Sequence, residues 1–264
     1  MAFASIGGLT LHYQLSGPAG APPLVFANSL GCDLRIWDEV VAKLGDRYRV
    51  LRYDKRGHGL SDAPPAPYTL DDHAGDLLGL LDHLGLARVA LAGISVGGLV
   101  AQRLALRAPE RLAALALCDT AAKIGNDALW AERIAAVEGE GIAAISAAVL
   151  GRWFTADFPR LRPAEFAGWR NMLERSPAAG YAGTCAALRD ADLRAEIGAI
   201  AIDTLVVVGE ADLSTPPELV RETARLLPRA RFHVLPGCGH LPPLEQPALL
   251  AAILTTYLEE LGHV

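Results

Sequence analysis

The sequence LAGISVGGL, residues 91–99, places one serine among three glycines, directly after a short apolar run. Residues 93–97 match the pattern G-x-S-x-G, with a strand-like run (residues 89–92) before them and a helical pattern after them. Such a turn is so tight that side chains larger than glycine would clash on either side of the serine. The hydroxyl of Ser95 is then presented near the positive N-terminus of the following helix. Ser95 is either a small turn residue or a nucleophile.

Short apolar runs alternate with amphipathic segments along most of the chain. Runs of about four to eight residues rich in Val, Leu and Ala are typical of strands whose sheet is covered by helices on both faces. The alternation therefore predicts an α/β fold with a mostly parallel, doubly wound sheet. The predicted strands are residues 9–15, 24–27, 48–53, 89–92, 112–118, 204–208 and 231–235, and the predicted helices are residues 34–44, 70–84, 96–108, 218–227 and 247–261.

The alternation stops between about residues 121 and 194, where the sequence is helical and contains three of the four tryptophans. Ligand sites tend to form between a scaffold and such an insert. We therefore expect one discontinuous core of residues 1–120 and 195–264, and a helical cap of residues 121–194. The alternative is that this segment only extends the helical layer of the sheet.

Composition and charge limit the classes of protein. The chain has 264 residues, 52% hydrophobic and 20% charged, which is typical of one large globular domain with or without an insertion. The net charge is −6 and no basic stripe with interleaved aromatics occurs, so no nucleic-acid partner is expected. An anionic ligand would need a local arginine or lysine, because the overall charge does not attract it.

Neither the N-terminus nor the cysteines indicate export. Residues 1–14 lack a basic stretch and include His12 and Gln14, unlike a signal peptide. The longest apolar stretch, residues 89–101, is too short to span a bilayer. The four cysteines have neither paired nor metal-type spacing, which is typical of free thiols in a reducing compartment. We therefore expect a cytoplasmic protein without membrane contact.

A nucleophilic serine needs a base, and in this topology an acid and then a histidine are expected on loops after later strands. In TLVVVGEADLSTPPE, residues 204–218, Asp212 follows a predicted strand. In RFHVLPGCGHLPPLEQP, residues 231–247, His240 lies in a Gly- and Pro-rich loop after the last predicted strand. Because three positional expectations are met, the sequence favours a catalytic triad of Ser95, His240 and Asp212.

Other residues compete for the two partner roles. Asp212 can be a plain turn residue, with Glu210 or Asp119 as the acid, since Asp119 also ends a predicted strand. His240 can be a surface loop residue. The competing bases are His12, His58, His73, His83, His233 and His263.

The reaction also needs donors for the oxyanion that forms on the attacked carbonyl. One is expected to be the backbone N–H of Val96, the residue after the nucleophile. The second is expected from the loop after an early strand, within VFANSLGCDLRIW at residues 25–37. Its position in this loop favours the backbone N–H of Leu30.

A third dense polar cluster is RYDKRGHGLSDAPP, residues 52–65. One interpretation makes His58 or Asp54 catalytic. The interpretation we favour is a structural turn, whose buried polar groups bond one another and the backbone.

These motifs resemble the α/β-hydrolase superfamily along nearly the whole chain. Within it the chain resembles the 3-oxoadipate enol-lactonase family, because NSLGCDLRIWD, residues 28–38, has Asn-Ser where most relatives have His-Gly. LAGISVGGLVAQRLA and GCGHLPPLEQP are also similar to that family. The resemblance implies an α/β-hydrolase fold with a helical cap, and opening of an enol-lactone to 3-oxoadipate in the β-ketoadipate pathway of aromatic catabolism.

The implied chemistry passes through an acyl-enzyme and needs no metal or organic cofactor. His240 deprotonates Ser95, which attacks the lactone carbonyl while the N–H groups of Val96 and Leu30 stabilise the oxyanion. Asp212 orients the imidazole, and water activated by His240 then releases the acyl chain.

The lactone of this family carries a free carboxylate, so a positive group is expected near the cap. The candidates are Arg133, near Trp130, and Arg152, beside Trp153, with both tryptophans as walls of the pocket. The alternative is that these arginines face solvent and the tryptophans only pack the cap.

Other functions remain open at this point. A C–C bond hydrolase, a carboxylesterase or a cofactor-free perhydrolase would keep the same triad, because substrate choice depends on the cap. A ligand sensor that retains the triad would turn over slowly or stop after one acylation, whereas a lactonase would cycle. A scaffold protein would leave the order of the catalytic residues unexplained.

Overall fold

The core of the protein is one eight-stranded sheet with the strand order β1-β2-β4-β3-β5-β6-β7-β8. The computed structural model describes residues 2–263. The β1–β2 and β2–β4 pairs are antiparallel and the other five pairs are parallel, which confirms the predicted fold class. The strands are β1 (Ala2–Ile6), β2 (Leu9–Ser16), β3 (Pro23–Ala27), β4 (Arg49–Tyr53), β5 (Val89–Ile94), β6 (Leu112–Cys118), β7 (Thr204–Gly209) and β8 (Ala230–Leu235).

The helices cover the central strands, since every residue of β5 and of β7 is buried. The predicted helix at residues 34–44 is divided into a 3₁₀ turn, Leu34–Trp37, and the first α-helix. The α-helices are α1 (Asp38–Leu44), α2 (Leu70–His83), α3 (Val96–Arg107), α4 (Asp127–Glu140), α5 (Ala143–Trp153), α6 (Phe158–Leu161), α7 (Pro163–Glu174), α8 (Ala178–Asp190), α9 (Pro217–Leu226), α10 (Pro242–Glu245) and α11 (Pro247–Glu260).

The edge strand β1 was not predicted from the sequence. Its five residues, AFASI, contain no continuous apolar run, and Phe3 is 55% exposed. β1 exists because its backbone pairs with β2 from Ala2 opposite Tyr13 to Ile6 opposite Leu9. An edge strand with one exposed face therefore gives a weaker sequence signal than the buried strands do.

The segment between β6 and β7 is helical. Residues 121–194 form helices α4 to α8, and this part of the described chain has no strand. α4 packs against α8, and α5 packs against α4 and α7. The division into a core and a cap of residues 121–194 remains a prediction.

Two other features bear on the expected location. The four cysteines are buried and form no disulfide in the described chain. Among residues 2–263, no helix combines the length and the apolar character needed to cross a membrane. The expected cytoplasmic location remains a prediction.

Candidate active site

Ser95 lies on a sharp turn between β5 and α3, with its backbone in the left-handed region at φ 56° and ψ −121°. Such a conformation costs a non-glycine residue about 1–3 kcal/mol and is typical of functional sites. A Cβ on Gly93 would collide with the Gly97 carbonyl, and a Cβ on Gly97 with the Ala27 carbonyl. The turn therefore requires both glycines, and the Ser95 side chain does not cap α3.

Asp212 and His240 lie on the loops after β7 and β8 and are in direct contact. His240 Nδ1 lies 2.8 Å from Asp212 Oδ2, and both side chains are buried. Because an ionised carboxylate only accepts hydrogen bonds, Nδ1 carries the proton and Nε2 is left with a free lone pair. This is the tautomer that a general base needs.

Further donors fix the carboxylate of Asp212. It accepts the Ser214 N–H at 2.7 Å, the Thr215 N–H at 3.0 Å and the Thr215 hydroxyl at 2.7 Å. Burial alone would raise the pKa of Asp212, but His240 and these hydrogen bonds outweigh it and hold the pKa below its ordinary value. Asp212 is therefore charged at neutral pH.

The competing acids are placed differently. Asp119, at the end of β6, accepts the Gly209 N–H at 2.8 Å, while its Oδ2 has no partner in the described chain. Burial and the nearby charge of Asp212 raise the pKa of Asp119 well above its ordinary value. Glu210 instead accepts the Gly237 N–H, and its side chain is exposed. The geometry thus brings Asp212, and not Asp119 or Glu210, into contact with His240.

Asp119, Asp212 and His240 form the only group of side chains within residues 2–263 whose ligand atoms lie close enough together to bind a metal ion. Ligand atoms of Asp119, Asp212 and His240 all lie within 4.8 Å of one another. Two of these three side chains already bond each other directly, and Asp212 also accepts from Thr215. This hydrogen bonding fits an acid–histidine pair.

The competing histidines take part in other contacts. His12 bonds Asp54 at 2.7 Å, His58 bonds the backbone of Gly31, and His263 bonds the Pro23 carbonyl. Within the described chain, His240 is the histidine that lines the cavity next to Ser95. The remaining competitors, His73, His83 and His233, lie on α2 and β8.

Leu30 lies in the loop of residues 28–34, which is held by groups of the polar cluster at residues 52–65. Lys55 Nζ donates to the Ser29 carbonyl at 2.5 Å, and Asp54 Oδ1 accepts the Leu34 N–H at 2.8 Å. His58 Nε2 accepts the Gly31 N–H at 3.0 Å. The cluster therefore bonds its own members and also fixes this loop, a connection that the sequence did not indicate.

Two charge states matter for this support. Burial, reinforced by the charge of Lys55, lowers the pKa of His58 well below its ordinary value, so His58 is neutral and can accept a hydrogen bond. Burial lowers the pKa of Lys55 to about 7, although Cys32 and the nearby carboxylates act in the opposite direction. The fold thus buries His58 and Lys55 away from water, which disfavours the charged form of each.

The expected oxyanion donors are free of other hydrogen bonds. Val96 is the first residue of α3, so its N–H has no acceptor within the helix. Around Leu30, the Gly31 N–H bonds His58 and the Cys32 N–H bonds the Ser29 carbonyl. The Leu30 N–H has no such partner within the described chain.

One cavity of about 80 Å³ joins the core to the helices between β6 and β7. It is lined by Ser95, His240 and Leu30 from the core, and by all four residues predicted to contact substrate, Trp130, Arg133, Arg152 and Trp153. Ser29, Ser214 and Tyr181, which the sequence did not single out, also line it. Val96 does not line the cavity itself, but it directly follows Ser95, which does.

The two arginines of the cavity differ in exposure. Arg133 is half-buried, with its guanidinium 5.4 Å from the centre of the Trp130 ring, whereas Arg152 is exposed. Neither forms an ion pair within residues 2–263. Both tryptophans are buried, and the Trp130 N–H donates to the Ile124 carbonyl.

The histidine loop is tied to the end of α5. The His240 N–H donates to the Trp153 carbonyl at 2.9 Å. The carboxylate of Glu245 accepts the Gly239 N–H at 2.7 Å and the Thr155 hydroxyl at 2.6 Å. The wall of the cavity and the candidate base are thus mechanically connected.

A larger groove of about 750 Å³ lies on the other side of α5. Leu150, Phe154, Phe166 and Leu213 line it, but neither Ser95 nor His240 does. The candidate active site is therefore the smaller cavity.

Comparison with known proteins agrees with this architecture. Residues 24–253 match the model of the alpha/beta hydrolase family. The chain is 36% identical to 3-oxoadipate enol-lactonase 2 of Acinetobacter baylyi over 239 residues, which cover 90% of this chain and 89% of that one.

Solved structures give the same result. The enol-lactonase of Burkholderia xenovorans LB400 is 40% identical with a TM-score of 0.95, covering 98% of this chain and 100% of that one. A thermophilic esterase of Thermogutta terrifontis is 30% identical with a TM-score of 0.93, covering 100% and 99%. The chain therefore belongs to the α/β-hydrolase family.

Proposed function

We propose that the protein is a serine hydrolase that opens the ring of 3-oxoadipate enol-lactone to give 3-oxoadipate. The observation that carries this proposal is the similarity, over nearly the whole chain, to two enol-lactonases at 36% and 40% identity. It is supported by a cavity that contains both Ser95 and a histidine bonded to a charged aspartate. The reaction would belong to the β-ketoadipate pathway of aromatic catabolism.

The first half of the reaction forms an acyl-enzyme. Ser95 Oγ bonds the lactone carbonyl carbon while its proton passes to His240 Nε2. The N–H groups of Val96 and Leu30 stabilise the oxyanion. When the oxyanion collapses, the ring C–O bond breaks and the leaving oxygen departs as an enolate, which is a better leaving group than an alkoxide. The proton held by His240 Nε2 passes to this enolate, which gives the ketone of the product and leaves His240 neutral for the second half.

The second half releases the acyl chain. A water molecule transfers a proton to His240 Nε2 and its oxygen bonds the acyl carbon. The bond to Ser95 Oγ then breaks, and Oγ recovers a proton from His240. In both halves Asp212 stabilises the imidazolium and keeps its ring oriented.

The test is the disappearance of the enol-lactone absorbance with the wild-type protein and with Ser95→Ala. Rapid multiple turnover is expected for the wild type, and a loss of about 10⁴- to 10⁶-fold in kcat for the variant. Ser16→Ala, on β2, is the matched control and should keep full activity. Absence of wild-type turnover would contradict the lactonase proposal.

A carboxylesterase is the second candidate, because the chain is 30% identical to a thermophilic esterase over its whole length. Cleavage of simple aryl esters through Ser95, with no turnover of the enol-lactone, would favour it. The triad is shared by both functions, so the lactone assay separates them.

A further inference from the structure

Lys55 is a buried cation that has no direct carboxylate partner in the described chain. The residue is only 3% exposed, and none of the ion pairs within residues 2–263 includes it. Its Nζ lies instead against backbone carbonyls, 2.5 Å from that of Ser29 and 3.4 Å from that of Cys32. A lysine is almost never fully buried unless it is paired, so this arrangement calls for an explanation.

The Ser29 carbonyl belongs to the peptide group whose N–H is the expected oxyanion donor, that of Leu30. This peptide is trans, and the C=O and N–H of a planar trans peptide point in opposite directions. Because Lys55 Nζ binds the carbonyl end, the Leu30 N–H is directed away from Lys55. Leu30 lines the cavity that contains Ser95, whereas Lys55 does not. A single peptide group therefore lies between the buried ammonium and the oxyanion site.

The turn of residues 29–32 keeps this peptide from rotating. The Cys32 N–H closes the turn on the Ser29 carbonyl at 3.3 Å. Gly31 has a φ of +73° at the third position, as in a type II turn. The Gly31 N–H is held separately by His58 Nε2. Lys55 therefore acts on one fixed orientation of the peptide.

A cation at the carbonyl end of a peptide strengthens the donor at its other end. Hydrogen bonds in a chain polarise one another, and those that involve a charge are about twice as strong as neutral ones. When Ser95 attacks, negative charge forms on the side of the peptide that faces away from Lys55. The ammonium is therefore expected to stabilise this oxyanion more than the neutral carbonyl of the bound substrate.

The titratable groups that interact electrostatically with Lys55 in the described chain are Cys32, Asp33, Asp54, His58 and His73. Burial raises the pKa of Cys32 and lowers those of the two histidines, so these three groups are neutral at pH 7. The charges of Asp33 and Asp54 act to raise the pKa of Lys55, but burial outweighs them and lowers it to about 7. The charge on Lys55 therefore changes near neutral pH.

We propose that Lys55 is a positioning residue of the reaction, whose ammonium orients and polarises the Ser29–Leu30 peptide so that the Leu30 N–H stabilises the oxyanion. The proposal rests on the serine-hydrolase mechanism of the proposed function, and not on the identity of the substrate. Because Lys55 does not touch the substrate, its removal should lower kcat and leave KM nearly unchanged.

The test compares Lys55→Met with Lys123→Met on 3-oxoadipate enol-lactone and on p-nitrophenyl acetate. Lys123 is the matched control, because its Nζ also donates to a backbone carbonyl, that of Arg189 at 2.6 Å, and neither residue lines the cavity. Lys55→Met should lower kcat about 10- to 30-fold on both substrates, less than the roughly 10²- to 10³-fold loss expected when an oxyanion donor is removed outright. KM should change less than about twofold, and Lys123→Met should keep both constants within about twofold.

The pH dependence separates a role of the charge from a purely structural one. The ratio of the wild-type kcat to that of Lys55→Met should be largest near pH 6, where the ammonium is charged. Because the pKa of Lys55 is about 7, the ratio should fall by about threefold or more by pH 9. The titration of His240 occurs in both proteins and cancels in this ratio. A ratio that does not change with pH would overturn the proposal.

Binding of propylboronic acid tests the proposal without turnover. Ser95 Oγ bonds the boron atom while its proton passes to His240 Nε2, and the resulting tetrahedral anion resembles the oxyanion intermediate. The wild type should bind the boronic acid about tenfold more tightly than Lys55→Met, and as tightly as Lys123→Met.

Equal binding by the wild type and Lys55→Met would overturn the role of Lys55, as would a loss confined to KM or the absence of binding by the wild type. The expected difference in binding, together with failure to open the lactone, would overturn the proposed lactonase function and keep the role of Lys55.

Discussion

The cavity has a core side, formed by the loops after the strands, and a side formed by helices α4 to α8, called the cap side after the predicted cap. The two sides differ in whether their polar groups have protein partners. On the core side, Asp212 accepts three donors besides His240, and Lys55 and His58 bond the loop that carries Leu30. On the other side, the buried Tyr181 hydroxyl interacts with the Arg133 side chain, and none of the residues that line the cavity in the described chain is an aspartate or a glutamate. The two arginines that line the cavity on that side, Arg133 and Arg152, form no ion pair within residues 2–263.

This difference separates the two tasks of the site. Groups that are held by the fold keep their geometry whether or not a ligand is present, which is what preorganised catalysis needs. Polar groups that lack a protein partner gain the most binding free energy from a ligand that provides one. Variants of the core side should therefore lower kcat for every substrate, whereas variants of the cap side should change which substrate is preferred.

The largest effect is expected for the acid of the core side. Asp212→Asn should lower kcat about 10⁴-fold on the enol-lactone, because His240 would lose the partner that fixes its tautomer. Asp119→Asn is the matched control and should stay within tenfold (about 1.4 kcal/mol), since asparagine can still accept the Gly209 N–H. A loss as large in Asp119→Asn would show that the wrong carboxylate has been assigned.

The next effect is on the pH dependence of stability, and it comes from Lys55, which is buried on the core side. Its pKa is lowered to about 7 by burial, from 10.5, so between these values the unfolded chain binds more protons than the folded one. The stability of the wild type, relative to Lys55→Met, should therefore rise with pH, by about 2 kcal/mol between pH 7 and pH 9. Urea unfolding of both proteins at the two pH values measures it, and a constant difference would contradict the prediction.

Local patterns made the core side predictable. The serine turn depends on Gly93 and Gly97, because any larger side chain at either position would collide with a neighbouring backbone carbonyl. The order of Ser95, Asp212 and His240 follows from strand topology, which the apolar runs had indicated. The sequence favoured Asp212 and left Asp119 as a competitor, because Asp119 also ends a predicted strand, and the side-chain contacts in the structure distinguish the two.

The cap side was less predictable because it depends on packing between helices. The sequence of α8, AAGYAGTCAALRD, is small and apolar around Tyr181 and gives no sign that Tyr181 lines the same cavity as Ser95. Arg133 was found as a cationic candidate, but its half-buried position and its contact with Trp130 follow from how α4 packs. Likewise, the support that His58 gives to Gly31 joins two loops that are distant in sequence.

A smaller change in rate is expected when the oxyanion loop loses one support. His58→Leu removes the acceptor of the Gly31 N–H, so the neighbouring Leu30 N–H should be less well placed. We expect kcat on the enol-lactone to fall about tenfold with little change in KM, because the oxyanion exists only after attack. His73→Leu, another buried neutral histidine, is the control and should lose stability but not kcat. Equal kcat losses in both variants would indicate a general effect on folding.

The smallest effect is expected for Arg152, the exposed arginine of the cap side. At low salt, Arg152→Gln should lower kcat/KM for 3-oxoadipate enol-lactone, which carries a free carboxylate, about two- to threefold, because an exposed charge attracts an anion weakly through water. The loss should disappear near 1 M salt, where the Debye length is only about 3 Å. Arg160→Gln provides the control, since Arg160 is exposed on α6 outside the cavity and pairs with Asp157. A loss for Arg152→Gln that persists in high salt would contradict an attraction that acts only through water.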